Sequence, residues 1–70
     1  MDKTINVVIN GLKETISENT TISQLIVGYK EGDVDLIVEH NGRFVYPRKY
    51  EQVVLLDDDQ IEFINPNFGG

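Results

Sequence analysis

The sequence predicts an α+β fold in which one main helix packs on one face of a mixed sheet of four to five strands. Short runs with apolar residues at every second position lie near both ends of the 70-residue chain, as in strands with one buried face. One segment between them has apolar residues at the spacing of a helix, and two Asn-Gly dipeptides are typical of hairpin turns. A chain of this length buries one small core, so we expect a single domain.

The first two predicted strands form a hairpin within residues 1–16. Residues 4–9 alternate apolar and polar side chains, and Asn10-Gly11 follows as the dipeptide that most readily adopts the positive φ angles of a two-residue turn. Residues 12–16 return as the second strand. Glu14 lies on the apolar side of this strand, which predicts a position at a solvated edge of the sheet.

The predicted helix begins at a capping box formed by Thr21 and Gln24, whose side chains can satisfy the free N–H groups of a helix start. Lys30 and Gly32 supply the signals for its end. Gly28 costs the helix up to about 1 kcal/mol relative to alanine, unless close packing requires it. One apolar stripe has the spacing i, i+3, i+4 and i+7: Ile22, Leu25, Ile26 and Tyr29.

A second hairpin follows the helix. Residues 35–40 contain three consecutive apolar residues and are long enough only for a strand. Asn41-Gly42 is the turn signal, and residues 43–46 are the return strand. Pro47 ends this strand, because proline has no N–H to donate to a neighbouring strand.

The last strand follows an irregular region. Residues 49–56 are predicted to be irregular or to form a single turn, and the three aspartates at 57–59 predict a turn before a strand at 60–64. A helix connects the second and third strands, so at least one strand pair should be parallel. This order of elements is typical of the ubiquitin-like β-grasp fold. The fold would occupy residues 1–64, with a flexible C-terminal tail at residues 65–70.

Composition and charge exclude several classes of function. The chain carries 12 acidic and 6 basic residues and a formal charge of −6, whereas binding to nucleic acids or anionic membranes requires clustered positive charge. Without cysteine it has no disulfide, thiol nucleophile or Cys-ligated metal. It shows neither the ~18-residue apolar run of a membrane span nor the layout of a signal peptide. We therefore expect a cytoplasmic protein that binds neither nucleic acid nor membrane.

Side chains that carry enzyme chemistry are sparse. His40 is the only imidazole. It could act as a general base, but no motif pairs it with a nucleophile, which favours a structural or solvent-facing role. Residues 57–59 lack the distal glutamate of a calcium loop, so a solvated turn is the better interpretation. The sequence thus predicts no catalytic residue, no metal site and no bound cofactor. Three basic residues either dock an acidic partner or simply belong to the surface: Arg43, Arg48 and Lys49.

The two last residues, Gly69 and Gly70, are the exception. One interpretation is a frayed tail without function, which is common at chain ends. The other is chemical, because a terminal carboxylate that follows two residues without side chains can enter a narrow channel and present an oxygen to a phosphate. The tail also follows directly from a predicted core strand, so it starts from a rigid base.

Three segments of the sequence match a known pattern. Residues 41–50 read NGRFVYPRKY, residues 57–63 read DDDQIEF, and the chain ends in Gly-Gly. Together they resemble the ThiS/MoaD family of ubiquitin-like sulfur carrier proteins, and the middle segments are closer to ThiS of thiamine biosynthesis. Three residues depart from the ThiS pattern. Asp58 replaces a turn glycine, and Tyr46 is an extra residue before Pro-Arg. Pro66 lies four positions before the end of the sequence, which is more typical of MoaD.

The resemblance implies a protein cosubstrate and not an enzyme. A ubiquitin-activating-enzyme-like adenylyltransferase, of the ThiF or MoeB type, would use ATP and magnesium to convert the carboxylate of Gly70 into an acyl-adenylate. A sulfur donor would then displace AMP and leave a thiocarboxylate. The sulfur would pass to a thiazole synthase. Gly69 would be the permissive neighbour, and Phe68 and Pro66 would contact the partner.

Two alternatives stay open at the level of sequence. A MoaD-like carrier would be the small subunit of molybdopterin synthase and would deliver sulfur to the large subunit of that enzyme. A non-conjugating ubiquitin-like interaction module, or a modifier attached to lysines, would instead use the surface of the sheet. The surface that carries Val8, Phe44 and Val54 is one candidate for partner binding, and alternation alone does not decide which face of the sheet meets the partner.

Overall fold

Five strands and one α-helix make up the described part of the molecule. The structure is a computed structural model that describes residues 3–29 and 36–65. The predicted α+β fold, with a mixed sheet and one main helix, is confirmed. The elements are β1 (Thr4–Ile9), β2 (Leu12–Ser17), α1 (Ile22–Tyr29), β3 (Ile37–His40), β4 (Arg43–Val45), a 3-10 helix (Pro47–Lys49) and β5 (Gln60–Ile64).

The strand order of the sheet is β2-β1-β5-β3-β4, so the last strand lies at the centre. β1 and β5 run parallel, with Val8 beside Gln60 and Ile9 beside Ile61, and the other neighbouring strands are antiparallel. The expected parallel pair therefore exists, but it joins the first and last strands and not the two strands that the helix connects. β2 lies at an edge, as Glu14 predicts.

Both Asn-Gly dipeptides form the predicted hairpin turns. All four residues have positive φ angles, which are 51° at Asn10, 83° at Gly11, 53° at Asn41 and 81° at Gly42. Two successive positive φ angles are the type I′ geometry, whose twist matches that of the strands on either side. The two turns therefore fix the register of β1 with β2 and of β3 with β4.

α1 begins with the predicted capping box. The N–H of Gln24 donates to Thr21 Oγ1 at 3.1 Å, and the N–H of Thr21 donates to Gln24 Oε1 at 3.0 Å. The predicted stop signals, Lys30 and Gly32, lie outside the described residues. Three residues of the apolar stripe pack into the core: Ile22, Leu25 and Ile26.

The hydrophobic core lies between α1 and one face of the sheet. The N–H of Ile22 donates to the carbonyl of Val53 at 3.0 Å, and Val54 forms an isolated bridge with Thr21, so part of the predicted irregular segment is bonded to the helix start. No helix within residues 3–29 or 36–65 is long and apolar enough to cross a membrane. The buried apolar residues are Val7, Ile9, Ile22, Leu25, Leu36, Val38, Val45, Leu55 and Ile61.

Gly28 lies on the exposed side of α1. A Cβ placed at Gly28 has no atom within 4 Å, so close packing does not require glycine there. Gly28→Ala is expected to raise the free energy of unfolding by up to about 1 kcal/mol, because alanine loses less backbone entropy in a helix. Urea denaturation should show a higher midpoint at an unchanged slope.

Gly42→Ala is the matched control for this prediction. A Cβ at Gly42 also has no atom within 4 Å, but the residue has a φ of +81°, which costs an L side chain about 1 kcal/mol or more. This variant should therefore be less stable than the wild type. A shift of both variants in the same direction would contradict the conformational explanation.

Candidate functional site

The sequence-predicted site residues follow the central strand of the sheet. β5 ends at Ile64 and the described chain ends at Asn65. The predicted flexibility of residues 65–70 stays a prediction. The candidate site therefore consists of β5, which leads to these residues, and of the surface around it. Four predicted site residues lie outside the described part of the chain: Pro66, Phe68, Gly69 and Gly70.

The turn before β5 is bonded to β1. The N–H of Asp58 donates to the carbonyl of Asn6 at 2.7 Å, and the N–H of Asn6 donates to Asp57 Oδ1 at 2.8 Å. The N–H of Val8 donates to the carbonyl of Asp59 at 2.9 Å. The three aspartates thus extend the parallel pairing of β1 and β5 and determine where β5 begins.

Two asparagines from the hairpin turns bond to β5 from opposite sides. Asn10 Oδ1 accepts from the N–H of Phe63 at 2.8 Å, and the N–H of Asn10 donates to the carbonyl of Ile61 at 2.9 Å. Asn41 Oδ1 accepts from the N–H of Gln60 at 2.8 Å, and the N–H of Asn41 donates to the carbonyl of Gln60 at 2.8 Å. The residues that form the hairpins therefore also fix the strand that precedes the tail.

A buried carboxylate lies directly before β5. Asp59 is only 8% exposed. Its Oδ2 accepts from His40 Nε2 at 2.8 Å and from the N–H of Leu56 at 2.9 Å. Its Oδ1 accepts from Asn41 Nδ2 at 3.1 Å. The prediction of a solvated turn over residues 57–59 is therefore wrong for Asp59, because three protein donors take the place of water.

The surroundings of Asp59 also set its charge. Burial raises the pKa of this carboxyl, but the hydrogen bonds from His40, the Leu56 N–H and Asn41, together with the charge of His40, lower the pKa to below its ordinary value of 3.8. Asp59 is therefore an anion at neutral pH, and its Oδ2 accepts a hydrogen bond from His40 Nε2. His40 thereby has a structural role, because it supplies one of the three donors that satisfy the buried carboxylate.

The face of the sheet opposite α1 carries exposed apolar side chains beside the end of β5. Phe44 is 51% exposed, Tyr46 53% and Ile64 37%, and Ile37 pairs with Ile64 on the same face. The rings of Phe44 and Tyr46 meet edge to face, with centroids 4.8 Å apart. The guanidinium carbon of Arg48 lies 5.0 Å from the Tyr46 centroid, a cation–π distance. We call Ile37, Phe44, Tyr46 and Ile64 the open-face patch.

The structure separates the three residues that sequence alternation grouped on one surface. Val8 and Phe44 lie on the open face, as the pairing of β1 with β5, β5 with β3 and β3 with β4 shows. Val54 lies in the isolated bridge with Thr21, outside the five-stranded sheet, so its assignment to this surface is wrong. Alternation cannot detect this difference, because it carries no information on which strands are neighbours.

A cavity of about 420 Å³ lies on the same face near the start of β5. Its charged side chains, Lys13 and Asp58, have opposite signs, so the lining favours neither an anion nor a cation. Within residues 3–29 and 36–65, no three side chains are grouped as a metal site requires. The lining residues are Asn6, Val7, Val8, Lys13, Asp58 and Gln60.

Comparison with known proteins relates both sequence and fold to one family. The model of the ThiS family matches residues 3–70, a range that includes both C-terminal glycines. No curated protein matches the chain. The crystal structure of thiamine biosynthesis protein ThiS from Geobacter metallireducens is 25% identical to the chain, with a TM-score of 0.82, and the match covers 94% of this chain and 100% of that one.

The two comparisons agree with the architecture. The five-stranded mixed sheet with one helix has the same arrangement as the structure of the Geobacter metallireducens protein, so the predicted β-grasp fold is confirmed as ThiS-like. The family match covers nearly the whole chain. The chain therefore belongs to the ThiS family of sulfur carrier proteins.

Proposed function

We propose that the chain carries sulfur as a thiocarboxylate on Gly70 for thiazole formation in thiamine biosynthesis. The observation that carries this proposal is the ThiS family match, which extends through both terminal glycines. The similar Geobacter metallireducens protein is described as a thiamine biosynthesis protein, which favours the thiamine pathway over the molybdopterin pathway. In this role the chain is a cosubstrate acted on by other enzymes.

The chemistry starts from a carboxylate, which is a poor electrophile. A ThiF-like adenylyltransferase would use ATP and magnesium, so that an oxygen of the Gly70 carboxylate attacks the α-phosphorus and pyrophosphate leaves. Hydrosulfide, supplied by a sulfur donor, would then attack the acyl carbon, and AMP leaves to give the thiocarboxylate. A thiazole synthase would receive the sulfur. We expect these steps to take place in the cytoplasm, where ATP is available to the activating enzyme.

The position of β5 supports a role in presenting the tail. β5 lies at the centre of the sheet, so the tail starts from a strand that is paired on both sides. Five residues lead from Asn65 to Gly70, and an extended chain spans about 3.4 Å per residue, so Gly70 can reach about 17 Å beyond the sheet. A partner can therefore bind the sheet while the carboxylate enters its active site.

The open-face patch is the docking surface that this arrangement favours. Its exposed aromatic and aliphatic side chains lie beside the end of β5, and contiguous exposed apolar groups mark interaction sites. Aromatic residues such as Phe44 and Tyr46 contribute strongly to binding when a partner desolvates them. Phe68 and Pro66 would continue the contact from the sheet to the active site of the partner.

The proposal predicts a defined change of mass. Incubation of the chain with a ThiF-like adenylyltransferase, ATP, magnesium and a sulfur donor should replace one oxygen by sulfur, as measured by intact-protein mass spectrometry. A variant without Gly70 should show no gain, because the reacting carboxylate is displaced by one residue.

Other outcomes would redirect the proposal. A ladder of larger covalent adducts would indicate a modifier attached to lysines. Sulfur transfer to the large subunit of a molybdopterin synthase, without transfer to a thiazole synthase, would indicate the MoaD-like alternative. An unchanged mass in every reaction would leave a non-conjugating interaction module.

A further inference from the structure

Two glutamates face each other at the centre of the open face. Glu39 of β3 pairs directly with Glu62 of β5, and Phe44 of β4 pairs with Glu39 on its other side. Side chains in such antiparallel pairs have Cβ atoms about 4.5–5.5 Å apart, and two like charges in this position repel. The sheet therefore holds two carboxylates side by side on the face opposite α1.

No cation of the described chain neutralises these carboxylates. The ion pair that the structure shows within residues 3–29 and 36–65 is the one between His40 and Asp59. The guanidinium of Arg48 lies over the Tyr46 ring, and Lys13 pairs with Val8 in the other half of the sheet. The described part of the chain, residues 3–29 and 36–65, therefore leaves both charges of the pair uncompensated.

Apolar side chains border the glutamate pair. Phe44 lies beside Glu39 in the same row, and the Ile37–Ile64 pair lies on the same face two residues along β3 and β5. A partner that covers these side chains would exclude water from the two carboxylates. Their repulsion would then grow unless the partner supplies a positive charge, because the Coulomb energy rises as the effective dielectric constant falls. An apolar partner surface without a cation is thus disfavoured.

We propose that Glu39 and Glu62 together bind one arginine or lysine side chain that projects from the docking surface of the activating enzyme. This inference rests on the proposed function, since it names the complementary group of the same partner. The cation would relieve the repulsion between both carboxylates and determine how the partner is oriented on the sheet. The position of the pair next to the end of β5 would then direct the tail toward the active site.

The test compares variants that each remove one negative charge. Glu39→Gln and Glu62→Gln should each weaken the affinity for the adenylyltransferase by about tenfold, as is typical when a buried charged hydrogen-bonded pair loses one partner. Glu18→Gln is the matched control, because Glu18 is exposed in the turn after β2 and the net charge changes equally. Its affinity should change less than twofold. Isothermal titration calorimetry at low and high salt measures all three.

Two further measurements identify a shared cation. The fold decrease in affinity of the double variant should be smaller than the product of the fold decreases of the two single variants, because one basic side chain serves both carboxylates. Both single variants should also show a higher thermal midpoint than the wild type without any partner, because each removes the cross-strand repulsion. This second result does not depend on the function of the chain.

The outcomes separate the inference from the proposed function. If the wild type is not adenylated at all, the proposed function fails. If the wild type is adenylated and the Glu39 and Glu62 variants bind as the Glu18 control does, the inference alone is overturned. Equal losses in all three variants would also overturn it, since they would reflect net charge and not a specific contact.

Discussion

Replacing Gly69 with tryptophan is expected to reduce adenylation of the neighbouring Gly70 by about 100-fold or more, the loss that a small misplacement of reacting groups causes. The proposed reaction requires the end of the chain to enter a narrow channel, and an indole side chain next to the carboxylate would prevent this. Gly69 lies beyond Asn65, where the described chain ends. Release of pyrophosphate on addition of ATP measures the reaction.

Asn67→Trp is the matched control for this result. It introduces the same side chain two residues earlier, at a position to which no partner contact is assigned. This variant should be adenylated at close to the wild-type rate, and circular dichroism should show an unchanged fold for both. Adenylation of Gly69→Trp at the wild-type rate would show that the narrow-channel argument is wrong.

Asp59→Asn is expected to lower the free energy of unfolding by about 3 kcal/mol, the cost of leaving buried donors without a charged acceptor. The carboxylate accepts from three donors through its two oxygens. An amide keeps one oxygen, so its NH2 group must face at least one of the donors from His40, Asn41 or Leu56. Urea denaturation measures the loss, which would be well above that of an ordinary surface substitution.

The same variant should remove a pH dependence of stability. The pKa of Asp59 is lower in the folded protein than its ordinary value of 3.8, so its stabilising contribution is present above that value and is lost as the pH falls through the folded value. The difference in stability between wild type and Asp59→Asn should therefore be largest at neutral pH and should shrink below about pH 4.

Asp58→Asn controls for the loss of charge in this turn. Asp58 is exposed, and asparagine tolerates its positive φ of 71°. This variant should change stability by less than about 0.5 kcal/mol, as surface substitutions do. If both variants lost the same stability, the network around Asp59 would not be the cause.

Local signals in the sequence predicted the elements well. The Asn-Gly turns, the Thr21–Gln24 capping box and the alternation in β1 each depend on residues a few positions apart, and all three occur in the structure. The central position of β5 could not be predicted in this way, because strand order depends on pairing between distant segments. The crossover rule predicted a parallel pair without identifying β1 and β5 as its members.

The side-chain contacts around β5 could not be predicted from the local sequence either. Asp59 is one of three consecutive aspartates, and nothing local distinguishes it from its neighbours. Its burial depends on His40 and Asn41, which belong to the hairpin of β3 and β4. The replacement of the family's turn glycine by Asp58 does have a local explanation, since the φ of this residue is 71°, a region that glycine occupies most easily. The Glu39–Glu62 pair likewise becomes visible only once the register is known.

The pairing of β1 with β5 also ties the carrier role to the completion of folding. Val8 and Gln60 are neighbours in the sheet although 52 positions separate them in the sequence. Their pairing closes a loop that contains most of the chain, and contacts between such distant residues slow folding. Until β5 has been synthesised, β1 and β3 each have an unpaired inner edge. The sheet is therefore completed only when β5 is available, and an anchored tail is presented only by a molecule in which this strand is already in place.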